Sequence, residues 1–447
     1  MLAIVSGRLS RRIAIAVITL LSALVVRTLP AQDDRRAGAL DSASAVLTLR
    51  DVYSAIGRGT PRVRAAASLA RAAEARVPGT RRPPDPVVQL GLMNYMLPDF
   101  ASDPVLGMRQ LQVMQMVPLP GKLGAAHAAA AARAQAAGAL VDDARAEVRA
   151  AAAMAFLDRW SAVRQALLAI ETRRLLADAA AVASAMYRVG EAQQADVLRA
   201  QVEIARMDEM GLRMRAMSDG ALVRLAALLD AAPSDVSAPP ELPHYPDSLP
   251  PVDSLVALAL GARPVLSAGA AQLEAASADV RAAERERWPD PQVGLQFGSR
   301  RSTMGTERMG SLMVGATIPI WARSRQLQMR EEAMAMRAMA EADLSAMRAE
   351  TRGRIGEAHA AIASARRLAT LYLGTVLPQA EAAAMSALSA YRAGAVDFMT
   401  VVENRMTVNT YRRELVALNA AEALGWVELE MLLGRSLMTD TAAQGAR

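Results

Sequence analysis

The 447-residue chain contains no cysteine. That removes disulfides, zinc–thiolate sites, cysteine nucleophiles and a lipid anchor on an N-terminal cysteine. Histidine is almost as scarce: His127, His244 and His359 lie far apart and in no ligand spacing, which argues against a histidine metal site. Aromatic residues make up 3% of the chain, too few for an ordinary sandwich or propeller. Lys122 is the only lysine, so the positive charge is arginine, scattered among Glu and Asp. The net charge of +6 falls to +2 once Arg8, Arg11, Arg12 and Arg27 of residues 1–31 are set aside. No basic footprint for a nucleic-acid backbone is left, so no nucleic-acid partner is expected. Enzyme motifs are missing as well. There is no Gly-x-Ser-x-Gly, no His-Glu-x-x-His, no P-loop and no dinucleotide glycine triplet. Neither a catalytic residue nor a cofactor is expected, and no metal site is assigned.

What is present is apolar. Hydrophobic residues make up 53% of the chain, which excludes a disordered protein, and long runs of Ala with Met and Leu favour helix. Residues 1–31 read as an export signal peptide. Arg8, Arg11 and Arg12 precede the apolar stretch 13–26, and Leu29-Pro30-Ala31 offers a cleavage point. After it, no run reaches 18 consecutive apolar residues, so a membrane position would have to rest on β-strands.

The chain repeats itself. Pro84-Asp85-Pro86-Val87-Val88-Gln89-Leu90 returns as Pro289-Asp290-Pro291-Gln292-Val293-Gly294-Leu295. Tyr187-Arg188-Val189-Gly190 returns 204 residues later as Tyr391-Arg392-Ala393-Gly394, and Val223, Leu225, Leu228 and Leu229 return at the same offset as Val427, Leu429, Leu432 and Leu433. Two copies of one unit are therefore expected, at 41–234 and 252–437, joined by a Pro-rich linker at 235–251 and followed by a flexible tail at 438–447.

Each unit has the same order of parts. A helical stretch comes first, at about 48–77 and 254–287. Two strands follow, within about 86–118 and 291–320. In the second unit Val293, Leu295 and Phe297 alternate with Gln292, Gly294, Gln296 and Gly298, and Leu312, Val314, Ala316 and Ile318 alternate with Ser311, Met313, Gly315 and Thr317. Period two puts apolar residues on one face and polar ones on the other. In the first unit Val88, Leu90 and Leu92 face with Leu111 and Val113. Polar loops are expected at about 96–107 and 299–308. Pro118, Pro120 and Pro319 mark strand-to-helix corners, because proline cannot donate to a ladder yet starts a helix well. Long helices follow, at about 122–188 and 323–392. Some 65 residues at 1.5 Å each reach roughly 100 Å. Each turns at Tyr-Arg-x-Gly, where glycine supplies positive φ, and returns over about 195–230 and 397–434. The fold class expected is mainly α with membrane β: two repeats, each a β-hairpin plus a long helical hairpin.

Four strands cannot close a barrel, and open edges are not tolerated in lipid. The strands must then be completed by identical neighbours, as a dimer with eight or a trimer with twelve. An oligomeric conduit follows, a barrel in the outer membrane continued by a helical tube.

At this point the chain resembles the outer-membrane efflux proteins of the TolC type. The resemblance covers essentially everything after the signal peptide. Its most specific element is the turn from Tyr187 to Gln201, with Asp196-Val197-Leu198-Arg199-Ala200-Gln201 intact. It implies a homotrimer with a 12-stranded β-barrel and an α-helical barrel, an outer-membrane location in lipid, a periplasmic adaptor protein, an inner-membrane pump and passive export of the pump's cargo. It also implies that the helix tips meet the adaptor, at Tyr187, Arg188, Gly190, Asp196, Tyr391, Arg392 and Gly394. In the family, acids nine and twelve residues after the second tip tyrosine close the tunnel. Here those positions are Thr400 and Glu403, so the acidic pair is half present, with Asp397 a nearby alternative. Pro118-Leu119-Pro120-Gly121-Lys122-Leu123 is similar to the heavy-metal branch of the family. Met93, Met96, Met108, Met114, Met116, Met304, Met309 and Met313 crowd the strand regions. Thioethers suit soft ions such as Cu(I), but methionine also fills apolar surfaces, and packing is the simpler reading. The rival to the channel is a periplasmic coiled-coil adaptor or spacer without a pore. It would need one helical hairpin and a compact β domain.

Overall fold

The computed structural model describes residues 46–438 apart from 57–58, 97, 99–100, 104–105, 303–304 and 319. The expected signal peptide, the corner at Pro319, and all of the expected tail except Met438 lie outside the described residues.

The chain opens with α1 (Leu49–Ala55) and α2 (Pro61–Arg76). The single helix expected over 48–77 is thus two. Thr48 begins α1 through a capping box with Asp51, and Pro61 begins α2, since a proline in the first turn cannot be reached by a continuous helix without loss of a bond. Strands β1 (Val87–Met93), β2 (Tyr95–Met96), β3 (Ala101–Ser102) and β4 (Met108–Met116) follow. The loop expected over 96–107 therefore carries a two-residue ladder of its own, β2 against β3.

Helix α3 (Lys122–Arg188) has 67 residues and no proline. At 1.5 Å per residue it is about 100 Å long. It returns as α4 (Gln194–Leu229), which packs along it. After the linker, α5 (Val252–Ala262) and α6 (Pro264–Arg285) replace the one helix expected over 254–287. Pro264 forces the break at Arg263, and the two axes bend by 49°. Among the described residues, no single helix is long and apolar enough to cross a membrane.

Strands β5 (Asp290–Ser302) and β6 (Gly305–Thr317) are 13 residues each. The ladder continues where a loop over 299–308 was expected, because Arg300 and Glu307 face each other and pair at 2.8 Å. Then come α7 (Gln326–Leu371), α8 (Leu377–Arg392) and α9 (Phe398–Leu433). The expected helix over 323–392 is interrupted by one wide turn at Tyr372–Val376, just before Pro378. A proline lacks the N–H that an α-turn needs there, and a π-type turn absorbs the misfit without ending the rod.

The two hairpins join into one antiparallel sheet in the order β1-β4-β5-β6. Its register sets Val88 beside Val113, Leu295 and Leu312, and sets Gln89 beside Gln112, Gln296 and Ser311. One apolar face and one glutamine-rich face thus run across all four strands, as the alternation predicts.

The helices pack through small residues. Ala125, Ala129, Ala132, Ala136, Ala152 and Ala153 of α3 are buried, which lets neighbouring helices lie close. Midway along the rods, Leu49, Val52, Phe156, Leu157, Leu225 and Leu229 build one apolar cluster, and Leu255, Ile355, Ile362, Trp426 and Leu429 build another. The linker belongs to this layer. Arg159 donates to the carbonyls of Val236, Ser237 and Ala238, and Arg366 donates to those of Pro246 and Asp247. Leu47 exchanges hydrogen bonds with the linker at Pro239 and Glu241. The linker is a belt held against the helices at several points.

Candidate functional site

Both helix tips end in the same closure. Gly190 at φ +84° and Gly394 at φ +70° are left-handed. The Gly190 N–H donates to the Tyr187 carbonyl and the Glu191 N–H to that of Met186; Gly394 and Ala395 donate likewise to Tyr391 and Ala390. This 6→1 and 5→2 pattern satisfies carbonyls that the helix end would leave open, and it needs a residue without a Cβ at the left-handed position.

The tips differ in what their tyrosines do. Tyr391 is 4% exposed and meets Phe398 edge-on at 5.4 Å. Tyr187 is 45% exposed. The residue 204 positions before Phe398 is Gln194, so the first tip carries no aromatic residue at the matching position. The two tips pack together through Ala179, Ala183, Ala200, Tyr391, Phe398 and Val401. Asp196 of α4, half-buried, acts on Tyr391. Burial first, and the Asp196 charge second, raise the Tyr391 hydroxyl above its ordinary value. Arg188, Gly190, Arg392 and Gly394 are exposed.

The three gate candidates fall into two roles. Asp397 caps α9: its carboxylate accepts from the Thr400 N–H at 3.0 Å and the Thr400 hydroxyl at 2.5 Å. These two bonds hold its carboxyl below the usual range, with a smaller contribution from Arg199. Asp397 and Thr400 are thus brought together and engaged with the helix start. Glu403 stands one turn further on, exposed, and its carboxylate has no ion pair among the described residues. Asp-x-x-Thr at a helix start is an N-cap signal, and it could have assigned Asp397 from sequence.

At the opposite end of the helices, Pro118 and Pro120 lie between β4 and α3. Sequence reasoning passed over the residue beside them. Lys122 is 8% exposed and reaches across to the second repeat, donating to Asp290 Oδ2 at 2.8 Å and to the Trp288 carbonyl at 3.2 Å. Arg285 donates to the Pro120 carbonyl at 2.9 Å, and the missing Cβ of Gly121 makes room for its guanidinium. Being the only lysine, directly after a Pro-x-Pro corner, was the available signal.

The sheet is turned inside out relative to a soluble one. Val293, Leu295 and Phe297 are exposed at 41–56%, and Leu312 and Val314 at 68–76%. Gln292, Gln296, Gln110 and Gln112 on the other face are half-buried, and Gln296 donates to Gln110 at 2.6 Å. A water-soluble sheet covers the apolar face and wets the polar one. Beyond the strands, Trp288, Ile318, Ile320 and Trp321 are exposed on the helix side.

Residues 255–435 match the family model for outer membrane efflux proteins. That match spans the second repeat, from within α5 to just past α9. The first repeat has the same order of strands, long helix, glycine tip and returning helix. Over 87–92% of the chain the fold is that of solved outer-membrane proteins. It is similar to the outer-membrane channel OprN (19% identity, 87% of this chain and 90% of that one, TM-score 0.76). It is similar to the outer membrane protein VceC of Vibrio cholerae (17%, 87% and 96%, TM-score 0.74). It is also similar to the CmeC outer membrane channel of Campylobacter jejuni (13%, 92% and 94%, TM-score 0.72). No curated protein sequence is significantly similar to the chain.

Proposed function

We propose that this protein is the outer-membrane channel of a tripartite efflux system, a passive conduit for cargo delivered by an inner-membrane pump and a periplasmic adaptor. The observation that carries the reading is the four-stranded sheet with its apolar face exposed and with glutamines, half-buried on the central strands, across its other face. Such a sheet is stable in lipid only if its two edge strands, β1 and β6, find partners. In a homotrimer, β6 of one subunit pairs antiparallel with β1 of the next, twelve strands close, and the glutamine face lines the bore. The helices then extend as a tube on the side away from the strand loops, with Trp288 and Trp321 at the lipid boundary. The tips, with Tyr187, Arg188, Arg392 and their glycines exposed, are the surface for the adaptor. Glu403 is the acid left free to face the axis, where three copies would attract cations and repel one another. The protein's role is conduction, and no residue is assigned to catalysis.

Single-particle imaging of the detergent-extracted protein tests this. A hollow threefold particle with a stem of about 100 Å is expected from the helix length. A monomeric or dimeric solid rod would replace the channel with an adaptor or spacer.

A further inference from the structure

The register sorts the methionines. In the four long strands, Met93, Met108, Met114, Met116, Met309 and Met313 all stand on the glutamine face, and not one stands among Val88, Leu90, Leu111, Val113, Leu295, Phe297, Leu312 and Val314. If methionine served here as apolar filler, the lipid face is where it would belong. Strand β5 has no methionine, but it contributes Gly294 and Gly298 to the same face. Gly294 lies between Met114 on β4 and Met313 on β6, each its direct partner in register. A Cβ at Gly294 would sit 3.3 Å from both Met114 Cγ and Met313 Cε. Gly298 is paired with Met309, and a Cβ there would lie 2.9 Å from Met108 Sδ. At Gly294 methionine side chains from both neighbouring strands close over the gap; at Gly298 Met108 of β4 does so, with Met309 of β6 as the register partner on the other side. Glycine inside a strand weakens it and marks a place where something must approach the backbone closely.

We propose that these gaps are two stacked thioether sites for a soft monovalent cation, of the Cu(I) or Ag(I) class, four residues and about 13 Å apart along the strand. The inference rests on the channel reading, because the glutamine face must line the bore for an ion in transit to meet it. Neutral thioethers hold a soft ion without a fixed counter-charge, and a second site along the path lets it move on. The surrounding glutamines keep the bore wet and unattractive to hard cations.

The absence of cysteine makes the test direct, since no thiolate competes. Ag(I) is titrated into the full-length protein in detergent, with bound silver measured after dialysis, and the same protein is placed in planar bilayers. The pair Met114→Leu with Met313→Leu keeps the volume and removes both sulfurs. The control pair Met336→Leu with Met339→Leu alters exposed methionines of α7. The strand pair should weaken Ag(I) binding by about tenfold or more and relieve silver block of the conductance, while the control leaves both unchanged. Equal effects of the two pairs, or no effect of either, would overturn the inference while the pore stands. Failure of the wild-type protein to conduct at all would overturn the channel reading beneath it.

Discussion

Lys122 and Asp290 form a contact at 2.8 Å between the start of α3 in the first repeat and the first residue of β5 in the second. The pair sits where the sheet hands over to the helices. Glu286 adds a second carboxylate at 3.4 Å, and the Leu119 N–H donates to the other oxygen of Asp290. The β4-to-α3 corner and the α6-to-β5 junction are thereby fixed to one ammonium group. Lys122→Met fits the space but leaves two carboxylates facing a half-dry corner. A loss of about 2–4 kcal/mol is expected, as for other broken internal pairs. It should show as a lower thermal midpoint of the purified protein. Asp290→Asn should cost less, because its amide still offers an oxygen to the lysine.

The tip tyrosines separate stability from exposure. The Tyr391 hydroxyl is buried and has no hydrogen-bond partner among the described residues. Tyr391→Phe keeps the ring against Phe398 and removes a buried polar group, so it should be neutral or stabilising by up to about 1 kcal/mol. Tyr391→Ala opens the cluster shared by the two tips and should cost about 3–5 kcal/mol. Tyr187→Ala should change stability by less than about 0.5 kcal/mol, yet it removes the larger exposed ring of the proposed adaptor surface. Chemical unfolding of the four proteins, with Gly394→Ala at about 1 kcal/mol as a reference, checks the ordering.

The contrast between Tyr187 and Tyr391 also marks where sequence reading stops. Helix α3 was legible end to end, because nothing between Lys122 and Arg188 interrupts a helical pattern and glycine follows. The facing of Leu295 and Phe297 was legible because period two leaves no choice once one residue is placed. The tip tyrosines look alike in sequence, and only the residue at the start of the returning helix, Phe398 or Gln194, decides which is buried. That decision belongs to packing between distant segments. Arg159 gave no local signal either, since its partners are carbonyls 77–79 residues away. Pro264 and Pro378 show that the same residue can break one helix by 49° and merely widen another by one turn. Neighbouring packing, absent from a local reading, decides between them.

Arg159 clasps three consecutive linker carbonyls, with Nη1 at 2.9 Å from Val236 and 2.7 Å from Ala238, and Nη2 at 2.5 Å from Ser237. Burial lowers its affinity for the proton, and the Asp219 charge partly offsets this. Arg159→Met should cost about 2–3 kcal/mol through the stranded carbonyls. It should also open the linker over 235–251 to limited proteolysis before the helices are cut. Arg159→Lys should rescue little, because a single ammonium cannot span carbonyls that the planar fork reaches together. Cleavage of Lys and wild-type proteins at the same rate would show that charge alone holds the belt.

Glu430 ties the end of α9 to both neighbours of the repeat core. Its carboxylate accepts from Tyr53 at 2.8 Å, Ser436 at 2.9 Å and the Leu437 N–H at 2.6 Å, and the side chain is buried. Burial raises its carboxyl above the ordinary 4.5, and those three bonds only partly oppose the shift. The folded state therefore holds a proton on Glu430 more tightly than the unfolded chain does. This proton-linked stability is complete below about pH 4.5, the unfolded value, and is lost as pH rises through the folded one. Glu430→Gln should be more stable than wild type at neutral pH, with the Tyr53 hydroxyl turning to accept from the new amide. The gain should shrink as pH falls toward 4.5, because the wild-type carboxyl becomes neutral there too. Thermal midpoints of both proteins measured from pH 4.5 to 8 should converge at the acid end. Parallel curves across that range would show that the carboxyl stays ionised in its pocket, held by its three donors.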